Sequence, residues 1–174
     1  FFLDKDPGFA AEYHHDKHVV KMILETAQLL STAHRVIDGV QYIDQSTGRK
    51  IKRWKMDSDV MESTLYKATH INHPSNVWAR TSKDNYMWLY RLFTNLCNEY
   101  THRYGKVHAT YAKLAHILSN PPKNIKDIGM TNMPQAMPDE YKTEDSVQAY
   151  RNYYIGSKKQ QSKYTKRDVP SWLI

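Results

Sequence analysis

The residues with most chemical potential are gathered near the start of the chain. His14, His15, Asp16, Lys17 and His18 are followed by Lys21 and Glu25. A carboxylate beside imidazoles and an ammonium can move protons, or stabilise a cation that develops on a substrate. On a helix turning about 100° per residue, His14, His18, Lys21, Gln28 and Thr32 all fall within about 60° of Glu25. They form one polar line, provided the helix runs unbroken back to His14. A plain solvated face would show the same line. Met22 and Leu29 share its sector, however, and three histidines in so short a stretch are unusual on a wet face. His14 and His18, four apart, could also share a metal ion with His70, His73 or Asp16 as third ligand. No H-E-x-x-H or comparable signature accompanies them. We therefore expect neither a metal nor another cofactor.

Other candidate chemistry is sparse. Cys97 is the lone cysteine and lies in an apolar helical stretch, which reads as core. It excludes an internal disulfide framework and a multi-cysteine zinc site, and it fits a reducing, cytoplasmic setting. There is no G-x-S-x-G and no glycine-rich phosphate loop. A second set of residues suits contact with a polyanion. The stretch from Arg49 through Lys50, Lys52 and Arg53 to Lys55 encloses Trp54, and Lys158, Lys159, Lys163, Lys166 and Arg167 make the end basic.

The elements that must hold these residues are mostly helical. Asp6-Pro7 reads as an N-cap and first helical position. A long helix follows over about 16–37, with Val19, Val20, Ile23, Ala27 and Leu30 on its apolar face and Gly39 beyond its end. Residues 40–56 read as a β-hairpin turning at Ser46-Thr47-Gly48. Helical character over 57–67, a turn at 72–75 that opens a short helix through Trp78, and a long helix over 83–104 come next. Ser82 caps that long helix and Gly105 stops it. A helix over 108–119, an irregular connection over 121–140 and a helix over 145–155 complete the pattern. Phe1 to Leu3 has the look of an edge strand. The expected fold is mainly α: one compact domain spanning 1–174, with a peripheral basic hairpin at 40–56 and a basic, aromatic tail at 156–174.

In a chain of 174 residues, 25 Lys and Arg stand against 18 Asp and Glu, giving a net charge of +7. That excess favours a nucleic-acid partner. Thirteen Tyr and four Trp add aromatic faces on which bases can stack. No apolar run is long enough to span a bilayer, and no secretory pattern is visible. The chain opens on Phe1 rather than Met, so we expect a few natural residues to precede it.

Asp16-Lys17-His18, then six residues, then Glu25, resembles the D-x-H-x6-E stretch of the phage pyrimidine-dimer DNA glycosylases known as endonuclease V. Near the other end, Tyr150-Arg151-Asn152-Tyr153-Tyr154-Ile155-Gly156-Ser157-Lys158 looks like that family's aromatic W-Y-K-Y-Y-G-K segment with one residue inserted. The resemblance implies a compact, mainly α, monomeric enzyme that flips a base from duplex DNA and attacks the sugar C1′. The family's nucleophile is the α-amine of the mature terminus, and a Schiff base then permits strand cleavage. Carried onto this chain, Glu25 is the catalytic carboxylate and His18 its neighbouring histidine. His14, Lys21, Arg49, Lys50, Arg53, Trp54, Arg151, Tyr153, Tyr154 and Lys158 are the expected DNA contacts. The family's arginines beside its glutamate are replaced by Leu24 and Gln28, and the hairpin has no clear counterpart. The expected activity is thus a glycosylase, with AP-lyase activity as its second half, acting on damaged or modified pyrimidines. The alternatives are a phage enzyme of the same fold that modifies thymine derivatives without cutting, a non-catalytic nucleic-acid-binding module, and a metal-dependent hydrolase built on His14 and His18.

Overall fold

The computed structural model describes residues 1–174. The fold is mainly α, 56% helical, with seven α-helices and one two-stranded antiparallel sheet. The helices are α1 (Pro7–Tyr13), α2 (Asp16–Asp38), α3 (Asp59–Thr64), α4 (Pro74–Thr81), α5 (Lys83–Tyr104), α6 (Ala109–Leu118) and α7 (Ser146–Tyr153). The strands are β1 (Val40–Asp44) and β2 (Ile51–Lys55), paired Val40 to Lys55 through Asp44 to Ile51. No helix is long and apolar enough to cross a membrane.

Each helix end has a local cause. The Asp6 carboxylate accepts from Phe9 N–H at 3.0 Å and starts α1 at Pro7. The Ser82 hydroxyl accepts from Asn85 N–H and starts α5. Gly105 stops α5 at φ +70°, a left-handed conformation that glycine adopts without a Cβ clash. Gly39 ends α2 for a different reason: a Cβ there would run into the Arg35 carbonyl.

The core lies between the two long helices. Val19, Ile23, Ala27 and Leu30 of α2 meet Leu89, Leu92, Phe93 and Leu96 of α5, all fully buried. Removing each larger side chain from water contributes about 1.5–3 kcal/mol. Leu114 and Leu118 of α6 and Leu173 near the end of the chain close the same core.

Several expectations need correction. Val20 is 40% exposed and stands outside the core face. Phe1 to Leu3 forms no strand; Leu3 is buried outright and the Phe2 ring meets Trp88 edge-on at 4.9 Å. Only Asp59–Thr64 of the 57–67 stretch is helical, and α4 runs past Trp78 to Thr81. The tail at 156–174 is anchored rather than free. Lys163 accepts through its carbonyl from Asp16 N–H, and Tyr164 donates its hydroxyl proton to the Tyr13 carbonyl at 2.7 Å.

The largest correction is at residues 14–15. His14 ends α1 and His15 caps α2, so the helix is not continuous back to His14. The break is held by Arg103, whose side chain has no exposed surface. Its guanidinium donates to the carbonyls of Glu12 and His14, to Asp16 Oδ1 at 3.0 Å and to Glu99 Oε2 at 2.8 Å. Arg167 from the tail donates to the same Glu99.

Burial disfavours the charged form of Asp16, but hydrogen bonds from Thr165 and Arg103 outweigh it and hold its pKa below the usual range. Burial likewise opposes the charge of Glu99, and hydrogen bonds from Arg167 and Arg103 reverse the outcome. A depressed folded pKa contributes stability that is present above the ordinary carboxylate value of about 4 and lost as pH falls below it. Urea denaturation of Arg103→Leu should show a loss of about 3–5 kcal/mol at neutral pH, because carboxylates stay buried without their cation. The variant's stability should also change less than the wild type's between about pH 5 and pH 2, since the shifts it removes drive that loss.

Candidate functional site

The polar line on α2 is one wall of a groove. His18, Lys21, Met22 and Glu25 face Phe1, His73, Ser75, Tyr150, Tyr153 and Tyr154 across a chamber of about 170 Å³. Glu25, Gln28 and Leu29 face Thr69, His70, His73 and Asn76 across a second chamber of about 260 Å³. Glu25 and His73 line both, so the carboxylate stands where an aromatic chamber meets a polar one. The Glu25 side chain is 42% exposed, and its nearest cation is Lys21 Nζ at 3.9 Å, an open and therefore weak pair.

The facing wall is built from α4 and the loop before it. Thr32, one of the polar line on α2, accepts from Thr69 N–H at 3.2 Å and ties the loop to the helix. His70 adopts φ +47°, which turns the chain so that the Thr69 and His70 carbonyls both accept from Asn76 Nδ2. His73 caps α4, its Nδ1 accepting from Ser75 N–H at 3.1 Å. In the neutral ring that bond leaves the proton on Nε2. Ser75 Oγ is buried without a hydrogen-bond partner.

Behind the aromatic chamber the histidines pack as neutral rings. His14 Nδ1 donates to the Ala10 carbonyl at 2.5 Å, and its Nε2 is buried with no partner. The His14 and His18 ring centroids are 5.0 Å apart, and His15 lies 5.3 Å from both His18 and Tyr154. His18 Nδ1 and the Tyr154 hydroxyl are hydrogen-bonded. Burial pushes the His14 and His18 pKa values well below 6.5, and neighbouring positive groups push the same way. Burial also lowers His15, to about 4. No group of three or more His, Cys, Asp or Glu side chains is arranged to hold a metal ion. His70 and His73 lie on the opposite wall from His18.

The expected DNA contacts divide sharply. Arg49 and Lys50 are exposed in the hairpin turn. Arg53 is half-buried and donates from Nη1 to the Ala68 carbonyl at 2.8 Å, so it fastens the hairpin to the loop that forms the polar wall. Trp54 lines a pocket of about 180 Å³ with Tyr42, Arg53 and Lys67 on that side. Lys158 Nζ lies 5.3 Å above the Tyr153 ring, at the aromatic chamber.

Three of the expected contacts serve the fold or the chamber instead. His14 is fully buried and backs the His18 ring; it has no surface to offer DNA. Tyr154 is 1% exposed and holds His18. Arg151 pairs with Asp4 at 3.0 Å, donates to the Leu3 carbonyl, and lies over the Tyr13 and Trp172 rings. It clamps the first residues to α7. The residues missed as groove lining are Ser75, Asn76, Tyr150 and Phe1, with His73 seen only as a candidate metal ligand. The one signal for them was His73-Pro74-Ser75, a helix start placed by chance of folding opposite α2.

Comparison of the chain with protein-family models, with curated proteins and with solved structures finds no match.

The lowered pKa values make a direct prediction. In an NMR titration the His14 and His18 ring signals should stay flat from pH 8 to pH 5.5, well below an ordinary midpoint near 6.5. Because an unfolded histidine binds a proton over that range and these two do not, stability should fall as pH falls below about 6.5. A midpoint near 6.5 for either ring contradicts the packing described.

Proposed function

We propose that the protein is a DNA glycosylase that acts on damaged or modified pyrimidines, with strand cleavage at the resulting abasic site as a second activity. The observation that carries the reading is the position of Glu25 at the junction of the two chambers, on the helix whose polar line they share. A nucleotide extruded from duplex DNA could place its base on one side of the carboxylate and its backbone on the other.

The chemistry follows from that placement. As the bond from sugar C1′ to the base breaks, its electron pair leaves with the base and positive charge grows on the sugar. A carboxylate beside C1′ stabilises that charge as it develops. Water can then add at C1′, with Glu25 accepting its proton and releasing it to solvent. An amine adding instead would form the Schiff base through which the strand is cut. The resemblance to the endonuclease V family puts a main-chain amine in this role. His18, held by Tyr154 and His14, would position groups around the carboxylate rather than carry the central charge.

Lys21 and Lys158 lie beside the aromatic chamber, and Arg53 fastens the hairpin that carries the exposed Arg49, Lys50 and Lys52 to the loop leading into the polar one. A backbone crossing the groove would meet them in turn.

Two tests follow. Glu25→Gln should abolish base release from lesion-bearing duplex while affinity for that duplex stays within about twofold, because the amide keeps the shape and loses the charge. His18→Ala should lower the rate less. Undiminished release in Glu25→Gln contradicts the reading. DNA binding should weaken with salt by about 0.9 in log K per log salt for each phosphate contact. Reversing Arg49, Lys50 and Lys52, all exposed, should weaken binding to every sequence alike. Arg53 is left out because it holds the groove wall.

A further inference from the structure

Where the hairpin meets the end of α3 and the loop after it, there is a pocket of about 180 Å³ that Glu25 does not line. Strand β1 brings Tyr42 to this pocket and β2 brings Arg53, while the loop brings Lys67 and Ala68. The register pairs Tyr42 directly with Arg53, so the two side chains leave the same face of the sheet. Tyr42 is 44% exposed, and Lys67 is exposed as well.

Arg53 is only partly used by the fold. Its Nη1 donates to the Ala68 carbonyl at 2.8 Å, and no other hydrogen bond engages the guanidinium. Its Nε is buried without a partner. Nε and Nη2 form one edge of the planar group, with two N–H bonds side by side. That edge matches two oxygens of a phosphate, and an oxygen there would remove the cost of a buried, unpaired donor. Lys67 immediately precedes the residue to which Arg53 is bound. The carboxylates of this region are engaged. Glu62 pairs with Arg35 at 2.9 Å and accepts from Met56 N–H at 2.6 Å, and Asp44 accepts from Ser46 N–H at 2.9 Å. Hydrogen bonds from Ser46 chiefly lower the Asp44 pKa, and the charges of Lys67 and Arg53 add to the effect. Both cations therefore act on one neighbourhood.

We propose that this pocket seats one phosphate of the DNA backbone, held by the free edge of Arg53 and by the Lys67 ammonium. The arginine then has two tasks: Nη1 fastens the hairpin, and the opposite edge grips the strand that the hairpin meets. The site rests on the DNA-binding half of the proposed function and needs no base release.

The test is a fluorescence-anisotropy titration with an undamaged, fluorescein-labelled duplex at several salt concentrations. Lys67→Gln should bind about tenfold more weakly than the wild type near 0.1 M salt, and its slope of log K against log salt should be shallower by about 0.9, the share of one phosphate contact. Arg53→Lys should also lose about tenfold yet keep the wild-type slope, because the charge stays and the fork is lost. A structural role for Arg53 alone would leave affinity unchanged in a folded variant. Thermal melting checks the fold of each, and Lys67→Gln, at an exposed position, carries the test if Arg53→Lys is unstable. Wild-type affinity in either folded variant overturns the assignment. The two readings fail separately. Base release with both variants binding as the wild type does removes the phosphate site and leaves the glycosylase. The expected losses without base release from any lesion keep the site and remove the glycosylase.

Discussion

One guanidinium determines where the candidate catalytic wall stands. Helix α1 has seven residues, too few for a stable helix by itself, since isolated helices under about 12–15 residues are marginal in water. Its last carbonyls need donors. Arg103 reaches them from α5, across a sequence separation of about ninety residues, and binds the Glu12 and His14 carbonyls. The same group takes the Asp16 carboxylate in the first turn of α2. One buried cation thus ends one helix and starts the next, and the turn between them is set. His18 lies within the first turn of α2 and inherits its position from that contact. A lysine could not substitute, because the task needs a planar group donating in several directions at once.

A second buried arginine performs the parallel task on the other wall. Arg35, near the end of α2, donates to the carbonyls of Trp54, Glu62, Leu65 and Tyr66 and pairs with the Glu62 carboxylate at 2.9 Å. It gathers β2, α3 and the following loop onto α2. Arg53 then ties the hairpin to that loop, and Thr32 ties the loop to the helix. The groove is therefore framed by hydrogen-bonded backbone on both sides, with α2 as the common element. Such a frame suits a site that must hold a flexible substrate near one carboxylate. The cationic hairpin is joined to the chamber wall, so the two share a support.

Much of the fold was legible because its causes are local. Asp6-Pro7, Ser82 and Gly105 mark helix ends through capping chemistry that involves neighbours only. The hairpin followed from Ser46-Thr47-Gly48 between two apolar and aromatic runs. The polar line on α2 was also legible, since helical spacing alone brings His18, Lys21, Glu25, Gln28 and Thr32 to one side. What faced that line was not legible. His73, Ser75, Asn76 and Tyr150 reach it only through tertiary packing, and no periodicity within α2 can announce a partner. The break at His14–His15 was missed because it depends on Arg103. Arg151 was misread for the same reason. A basic residue among tyrosines suggests a DNA contact until Asp4, Tyr13 and Trp172 are seen around it. Several basic residues in this chain are clamps, and only their burial and partners mark them as such.

The central claim is that α2 and α4 enclose an extruded nucleotide at Glu25. The most direct measurement is a crystal structure of Glu25→Gln bound to duplex DNA carrying a modified pyrimidine in a mismatch. The account predicts one nucleotide turned out of the helix, with its C1′ in contact with residue 25. The hairpin should then lie along the phosphates. Duplex DNA bound on another face, with every base stacked and the groove empty, would contradict it.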